Sequence, residues 1–171
     1  MTGFQAADRL GSASRWKIIL WMSALAFFFS CRGEDKAESA KNHMEKGLSA
    51  FRMGDFDKAL EEYRAACRNQ PESAEAHNYL GMALRYKYHE TGDESFRQEE
   101  VEMFSKAVSL KKNWWVPRIN LATTLWEMGK RKSAAKHYRK GLEINPDHPD
   151  GEAIKKRISE AEIQTEEKEE K

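Results

Sequence analysis

The stretch GLSAFRMGDFDKALEEYRAACRNQP, Gly47 to Pro71, lies on ATTLWEMGKRKSAAKHYRKGLEINP, Ala122 to Pro146, without a gap. Met53 and Gly54 fall on Met128 and Gly129, Ala59 on Ala134, Tyr63 and Arg64 on Tyr138 and Arg139, and Pro71 on Pro146. Such a period constrains the fold more than composition does, because each copy is one supersecondary unit that buries its apolar face only against a neighbour. The offset of 75 residues equals two units of about 34 plus roughly seven more. Each copy reads as helix, tight turn, helix, stop. Gly54 and Gly129 end the first helix where a left-handed residue is wanted, and Pro71 and Pro146 close the second. Ala59, Tyr63 and Ala66 share one helical face, as do Ala134, Tyr138 and Gly141. Small residues admit a close neighbour, and the ring fills the space between.

This pattern resembles the tetratricopeptide repeat, a helical hairpin stacked into a solenoid, from about Ala40 to His148. The first copy carries Gly47, Ala59, Tyr63, Ala66 and Pro71 at the signature positions; the third carries Leu121, Ala122, Ala134, Tyr138, Gly141 and Pro146. The Trp favoured early in each repeat is replaced by His43, His77 and Arg118. The resemblance implies an all-α superhelical solenoid of three hairpins, about 40–73, 74–114 and 115–148, within a domain spanning 40–163. A capping helix at about 150–163, through Ala153, Ile154, Ile158 and Ala161, is expected to cover the last apolar face. The end, 164–171, is a charged tail expected to be disordered.

The middle copy departs from the others. HNYLGMALRYKYH opens it with Leu80 and Gly81, and EMFSKAVSLKKN closes it with Phe104 and Ala107, but the extra residues lie between. Seven residues are about two helical turns. Gly92 is read as a stop and Ser95 with Gln98 as a capping box, so both helices should lengthen by about a turn. The taller hairpin would expose Tyr86, Tyr88, His89 and Phe96 near its tip. A functional tip and simple tolerance of loop length both fit.

At the N-terminus, Arg15 and Lys17 precede an uncharged apolar segment from Ile18 to Phe29. It is too short to span hydrocarbon, which takes roughly 20 residues, and it has no polar face. It reads as a processed secretory signal, residues 1–30. Ser30 and Cys31 make it resemble a bacterial lipoprotein signal, although Phe28 and Phe29 stand where Leu and a small residue are usual. That resemblance implies lipidation of Cys31 and a polar tether over 31–39, with a plain signal peptide or an uncleaved anchor as alternatives. Arg32 rather than Asp follows the cysteine, which favours the outer membrane. Several acyl chains make a firm anchor, at about 0.8 kcal/mol per buried methylene.

The 171 residues allow about one domain with tails. Charges nearly cancel, 29 basic against 28 acidic. They are unevenly placed: Arg32 to Met103 holds 11 basic and 16 acidic residues, Phe104 to Ile158 holds 13 and 5. Oppositely charged halves can orient a protein toward an acidic partner, while solvated helix faces explain them as well. Two cysteines make neither a disulfide framework nor a zinc site. No HExxH, Walker loop, GxSxG, EF-hand loop or paired CxxC occurs, so no enzyme, cofactor or metal is expected. His43, His77 and His137 fall on repeat helices without ligand spacing. Cys67 reads as a buried, inert thiol. Trp114 and Trp115 read as packing between hairpins, or as a ligand platform, with Pro117 in a helical first turn. The basic helix KRKSAAKHYRK lacks interleaved aromatics, so nucleic acid is not expected.

In tetratricopeptide proteins the first helix of each pair lines a concave groove that binds partner segments. Carried over by repeat position, the lining is Met44, Leu48 and Arg52; Asn78, Met82, Arg85 and Tyr86; Ile119, Thr123 and Trp126. The carboxylate clamp of chaperone-binding members needs Lys and Asn near the places of Met44 and Leu48, so that activity is not implied. The groove suits an apolar segment carrying some acid. The leading expectation is a non-enzymatic adaptor, lipid-anchored at a bacterial envelope membrane, binding a protein or peptide partner. The alternative is a self-assembling envelope protein in which solenoid ends or charged halves build a homo-oligomer.

Overall fold

The computed structural model describes residues 35–169, with side chains to residue 163. The stretch expected to be a signal, residues 1–30, and Cys31 lie outside the described residues. Seven helices and no strand are found among the described residues: α1 (35–52), α2 (Phe56–Asn69), α3 (Ala74–Thr91), α4 (Glu94–Leu110), α5 (Trp115–Glu127), α6 (Arg131–Ile144) and α7 (Gly151–Glu169). From α2 onward each helix packs on the next in chain order. The expected all-α solenoid of hairpins with a closing helix is what forms.

The repeat is reproduced at the level of backbone hydrogen bonds. In the first turn Gly54 N–H donates to Phe51 O (3.1 Å) and Asp55 N–H to Ala50 O (3.0 Å). In the third hairpin the residues 75 positions on do the same, Gly129 to Trp126 (3.0 Å) and Lys130 to Leu125 (2.9 Å). Both turns need φ near +75°, 78° at Gly54 and 73° at Gly129, which glycine adopts without the clash a Cβ brings. The caps differ. Asp55 accepts from Lys58 N–H at 3.0 Å, whereas Lys130 in the equivalent place of the third hairpin has no side-chain cap bond.

The middle hairpin is longer, as its extra residues require. Helix α3 has 18 residues and α4 17, against 13 in α5 and 14 in α2 and α6. Gly92 ends α3 at φ 71°. The start of α4 corrects the capping box expected at Ser95 and Gln98: Asp93 is the N-cap, accepting from Ser95 N–H at 2.9 Å. A carboxylate one residue past the turn glycine reaches the first free N–H groups, so the helix begins before Ser95. The tip is also less exposed than expected. Tyr86 and His89 face solvent, but Phe96 is half-buried against the first core cluster and Tyr88 lies under the Arg97 guanidinium, 3.8 Å from its ring centre.

Two further boundaries shift. Residues 35–39, expected in the tether, are helical and run into α1. At the other end α7 continues to Glu169, past the limit expected at 163. Ile154, Ile158 and Ala161 are buried on the third hairpin, while Ala153 is exposed. No described helix is long and apolar enough to cross a membrane.

Two clusters form the core. One gathers Ala50, Ala59, Leu60, Tyr63, Leu80, Ala83 and Leu84; the other runs from Phe104 through Leu121, Leu125 and Tyr138 to Ile154 and Ile158. In the first two hairpins the ring of the second helix is wedged against a glycine of the first helix. A Cβ on Gly47 would lie 2.6 Å from Tyr63 Cε1, and one on Gly81 2.7 Å from Phe104 Cε1. Trp114 and Trp115 stand at the start of α5, Trp115 against a residue of its own hairpin and Trp114 beside the end of α4. Trp115 meets His148 edge to face at 4.9 Å, and Lys111 lies 5.2 Å from the Trp114 ring centre.

Candidate functional site

The first helices α3 and α5 are joined by polar groups. Asn120 donates its amide to Asn78 Oδ1 (3.1 Å), and Arg85 Nη2 donates to Asn120 O (2.8 Å) and Thr124 Oγ1 (2.9 Å). Between these helices opens a hollow of about 300 Å³ lined by Met82, Arg85, Tyr86, His89 and Asn120. Its floor is made rigid from beneath. Arg85 Nε donates to Glu100 Oε1 at 2.7 Å, Thr124 Oγ1 donates to the same oxygen at 2.6 Å, and Arg97 Nη1 stands 3.5 Å from Oε2. Glu100 is 0% exposed. A carboxylate taken out of water is tolerated only when paired and hydrogen-bonded, and here two guanidinium groups and a hydroxyl meet it. Arg97 is shared in turn with Glu127 at 2.6 Å. The network therefore ties α3, α4 and α5 together.

One side of the hollow continues into aromatic surface. Tyr86, 48% exposed, stacks on Phe56 at 4.9 Å and meets Phe51 edge-on at 5.1 Å. Met53 beside them in sequence is 71% exposed. The rim is thus apolar and aromatic toward the first hairpin, and polar at His89 and Asn120. This arrangement suits an apolar side chain entering with a polar group alongside.

The ten positions anticipated for the groove separate into groups. Met82, Arg85 and Tyr86 line the hollow together. Asn78 is buried and its side chain serves the seam between α3 and α5. Met44 packs against the first core cluster, Leu48 is half-buried and Arg52 is exposed, all on α1 and away from the hollow. In the third hairpin, Ile119 packs against the second core cluster and Thr123 bonds the Tyr138 hydroxyl at 3.1 Å. Trp126 lies under Arg131, 4.0 Å from the ring centre, with Arg157 at 5.8 Å. His89 and Asn120 were missed by position counting, and so was Glu100. A signal for Glu100 existed: it occupies the repeat position of Ala59 and Ala134, where a charge demands a partner.

Titratable groups follow their surroundings. Burial pushes the Tyr63 phenol up to about 12 and the Cys67 thiol up to about 11. Burial also lowers the His137 imidazole, helped by Arg118 and Lys136. Cys67, half-buried rather than fully enclosed, stands 3.7 Å from His77 Nδ1. Among the described residues no group of three His, Cys, Asp or Glu side chains stands at metal spacing.

Two stretches, residues 44–85 and 118–148, match the tetratricopeptide repeat. These are tetratricopeptide repeats. The first match stops at Arg85, where the lengthened part of the middle hairpin begins. Among curated proteins, Protein IFIT1 homolog B of Homo sapiens is 30% identical over 108 residues, covering 54% of this chain and 23% of that one. The chain therefore spans less than a quarter of that relative. Among solved structures, the tetratricopeptide domain of Arabidopsis OM64 superposes with a TM-score of 0.65 at 19% identity, covering 73% of this chain and 98% of that one. The first tetratricopeptide domain of Spaghetti (RPAP3), bound to the HSP90 peptide SRMEEVD, gives 0.65 at 20% identity, with 74% and 95% covered. At these identities the likeness is one of fold. The repeats stack as an all-α tetratricopeptide solenoid.

Proposed function

We propose that this chain is a non-enzymatic adaptor that holds a segment of a partner protein in the groove between its first helices. The observation that carries this reading is the hollow of about 300 Å³ lined by Met82, Arg85, Tyr86, His89 and Asn120, open to solvent above a fixed ionic floor. A preorganised floor favours binding because little ordering is left to the moment of association. The RPAP3 domain of similar fold holds a peptide, which supports a peptide or protein segment as the partner class here. Met82, Tyr86 and the neighbouring Phe51 and Phe56 would take apolar side chains. His89 and Asn120 would meet polar groups, and Arg131 above Trp126 would attract an acidic one.

In this proposal the protein is exported and held at a bacterial envelope membrane through lipid on Cys31, with the outer membrane favoured by Arg32. The support is the order of Arg15 and Lys17, the apolar run Ile18 to Phe29, then Ser30 and Cys31. The adaptor would then work outside the cytoplasm.

A photoreactive residue placed at Met82 or Tyr86 tests the groove, with Lys140 on the exposed face of α6 as control. We expect a discrete adduct from the first two positions and none from the third; equal labelling at all three would refute a groove partner. An adduct between two copies of the chain would instead support self-assembly. Mass spectrometry of the mature N-terminus tests the anchor: a diacylated Cys31 is expected, and a chain beginning at Met1 in the soluble fraction would exclude it.

A further inference from the structure

Three soft donors converge outside the groove. Cys67 comes from α2, His77 from α3 and Met103 from α4. His77 is 8% exposed. Its Nε2 lies 2.9 Å from Pro71 O; a carbonyl only accepts, so Nε2 carries the proton. In the neutral ring Nδ1 is then bare, with its lone pair toward two sulfurs, Cys67 Sγ at 3.7 Å and Met103 Sδ at 3.4 Å. The cysteine S–H can donate to that nitrogen. A thioether has no proton to give, so the 3.4 Å contact with Met103 supplies no donor to the Nδ1 lone pair. A cation held by the three atoms would engage those lone pairs together.

The two nitrogen–sulfur spacings fit such a cation. A metal with bonds of roughly 2.3 Å to sulfur and 2.0 Å to nitrogen, at angles between tetrahedral and trigonal, sets nitrogen and sulfur about 3.5 to 3.7 Å apart. The two observed separations fall at that range within about a tenth of an ångström. The hydrogen bond from His77 Nε2 to Pro71 O is the outer-shell contact that commonly orients a ligating imidazole. Cys67 and Met103 are both half-buried, which leaves an entry from solvent.

We infer that Cys67 Sγ, His77 Nδ1 and Met103 Sδ form a binding site for a soft monovalent metal ion, copper(I). One thiolate, one thioether and one imidazole suit copper(I), whereas structural zinc takes four ligands and calcium or magnesium takes oxygen. Binding replaces the Cys67 S–H proton: a sulfur–copper bond forms, the proton leaves to solvent, and no electron is transferred. The thiolate and ion together are neutral, so the half-buried site gains no net charge. The site is separate from the hollow on α3 and α5 and does not depend on the groove reading.

The test uses the full chain carrying Cys31→Ser, which removes the only other cysteine. Copper(I) is supplied anaerobically as its bicinchoninate complex and transfer is followed by loss of that complex's absorbance. One ion per chain is expected to transfer. Adding Cys67→Ser should abolish transfer, and Met103→Leu should lower it without abolishing it. Both side chains are half-buried and the leucine conserves volume, so far-ultraviolet circular dichroism should report intact helices. X-ray absorption of the loaded chain should find two sulfurs and one nitrogen around the ion. No transfer to the parent, or undiminished transfer to the Cys67→Ser chain, would overturn the assignment, as would zinc(II) competing on equal terms.

Discussion

The middle hairpin and its two neighbours solve the same packing problem with different chemistry. Where the outer hairpins place Ala59 and Ala134, both 0% exposed, the middle one places Glu100 at equal burial. Where the outer ones place Tyr63 and Tyr138, the middle one has Phe104. The ring is constant and the polar atom has moved, from the ring's rim to the side chain one turn earlier on the same helix. In the outer hairpins a short, fully buried alanine fills this position and lets the helices approach. In the longer middle hairpin, Arg85, Arg97 and Thr124 converge on one carboxylate. The repeat position thus specifies a shape, and that shape is filled by a methyl group or by a fully paired ion.

The two tyrosines differ from each other as well. The Tyr138 hydroxyl accepts from Arg157 Nη1 of the closing helix at 2.8 Å and meets Thr123. That of Tyr63 finds no hydrogen-bond partner among the described residues, and its ring stacks on Tyr79 at 5.7 Å. Equivalent in sequence, they see different next helices: α7 offers a cation and α3 an aromatic face.

The sharpest way to break the comparison is Glu100→Ala, which gives the middle hairpin its neighbours' residue. Alone it takes the buried carboxylate from Arg85 and Arg97, leaving Arg97 its pair with Glu127 and Arg85 only its neutral acceptors, and urea denaturation should show a loss of about 3 kcal/mol. Adding Arg85→Phe and Arg97→Phe, the residues at the same positions of the first hairpin (Phe51 and Phe56), should recover most of that loss, since a well-packed apolar set often equals a buried ion cluster. If the triple variant is no more stable than Glu100→Ala, the equivalence of the two solutions fails.

Next in size is Gly81→Ala, whose methyl would meet Phe104 at 2.7 Å, and its counterpart Gly47→Ala against Tyr63 at 2.6 Å. Each should cost about 1–3 kcal/mol by overpacking, seen as a lower thermal midpoint. Similar losses at both would show that the ring seat is common to the hairpins despite their different polar chemistry.

The smallest effects separate the tyrosines. Tyr138→Phe should cost about 1 kcal/mol by removing a bonded hydroxyl, while Tyr63→Phe should stay within roughly 0.5 kcal/mol of neutral. Alkaline pH offers a second readout. The Tyr63 phenol is pushed up to about 12 by burial, then by Tyr79, against about 10 for an exposed phenol. Below about pH 10 the group is neutral in folded and unfolded chains alike, so it brings no pH dependence. From there toward about 12 the unfolded chain ionises first, and this contribution to stability falls as pH rises. Stability curves over that window should be flatter in Tyr63→Phe than in the parent.

The repeat frame was legible in sequence because it rests on local rules. Gly54 and Gly129 answer a backbone angle, Pro71 and Pro146 stop a helix, and the alanine–tyrosine spacing sets a face, each within a few residues. Met82, Arg85 and Tyr86 could be placed near one another by counting along the repeat. Asn120 and His89 could not be assigned to their hollow, because that required knowing how far α5 stands from the lengthened α3. Asp93 displaced Ser95 as the cap because two capping residues competed within three positions.

What the sequence alone determined is the set of units and their period, since propensity, turn chemistry and apolar spacing act over distances shorter than one helix. Only tertiary structure decided which side chains from different units meet. Glu100 reaches Arg85 and Thr124, and Cys67, His77 and Met103 meet around one nitrogen, because helices from successive hairpins pack at contact distance. Whether a buried polar group is costly or stabilising depends on such neighbours, and those are fixed by packing rather than by position in the chain.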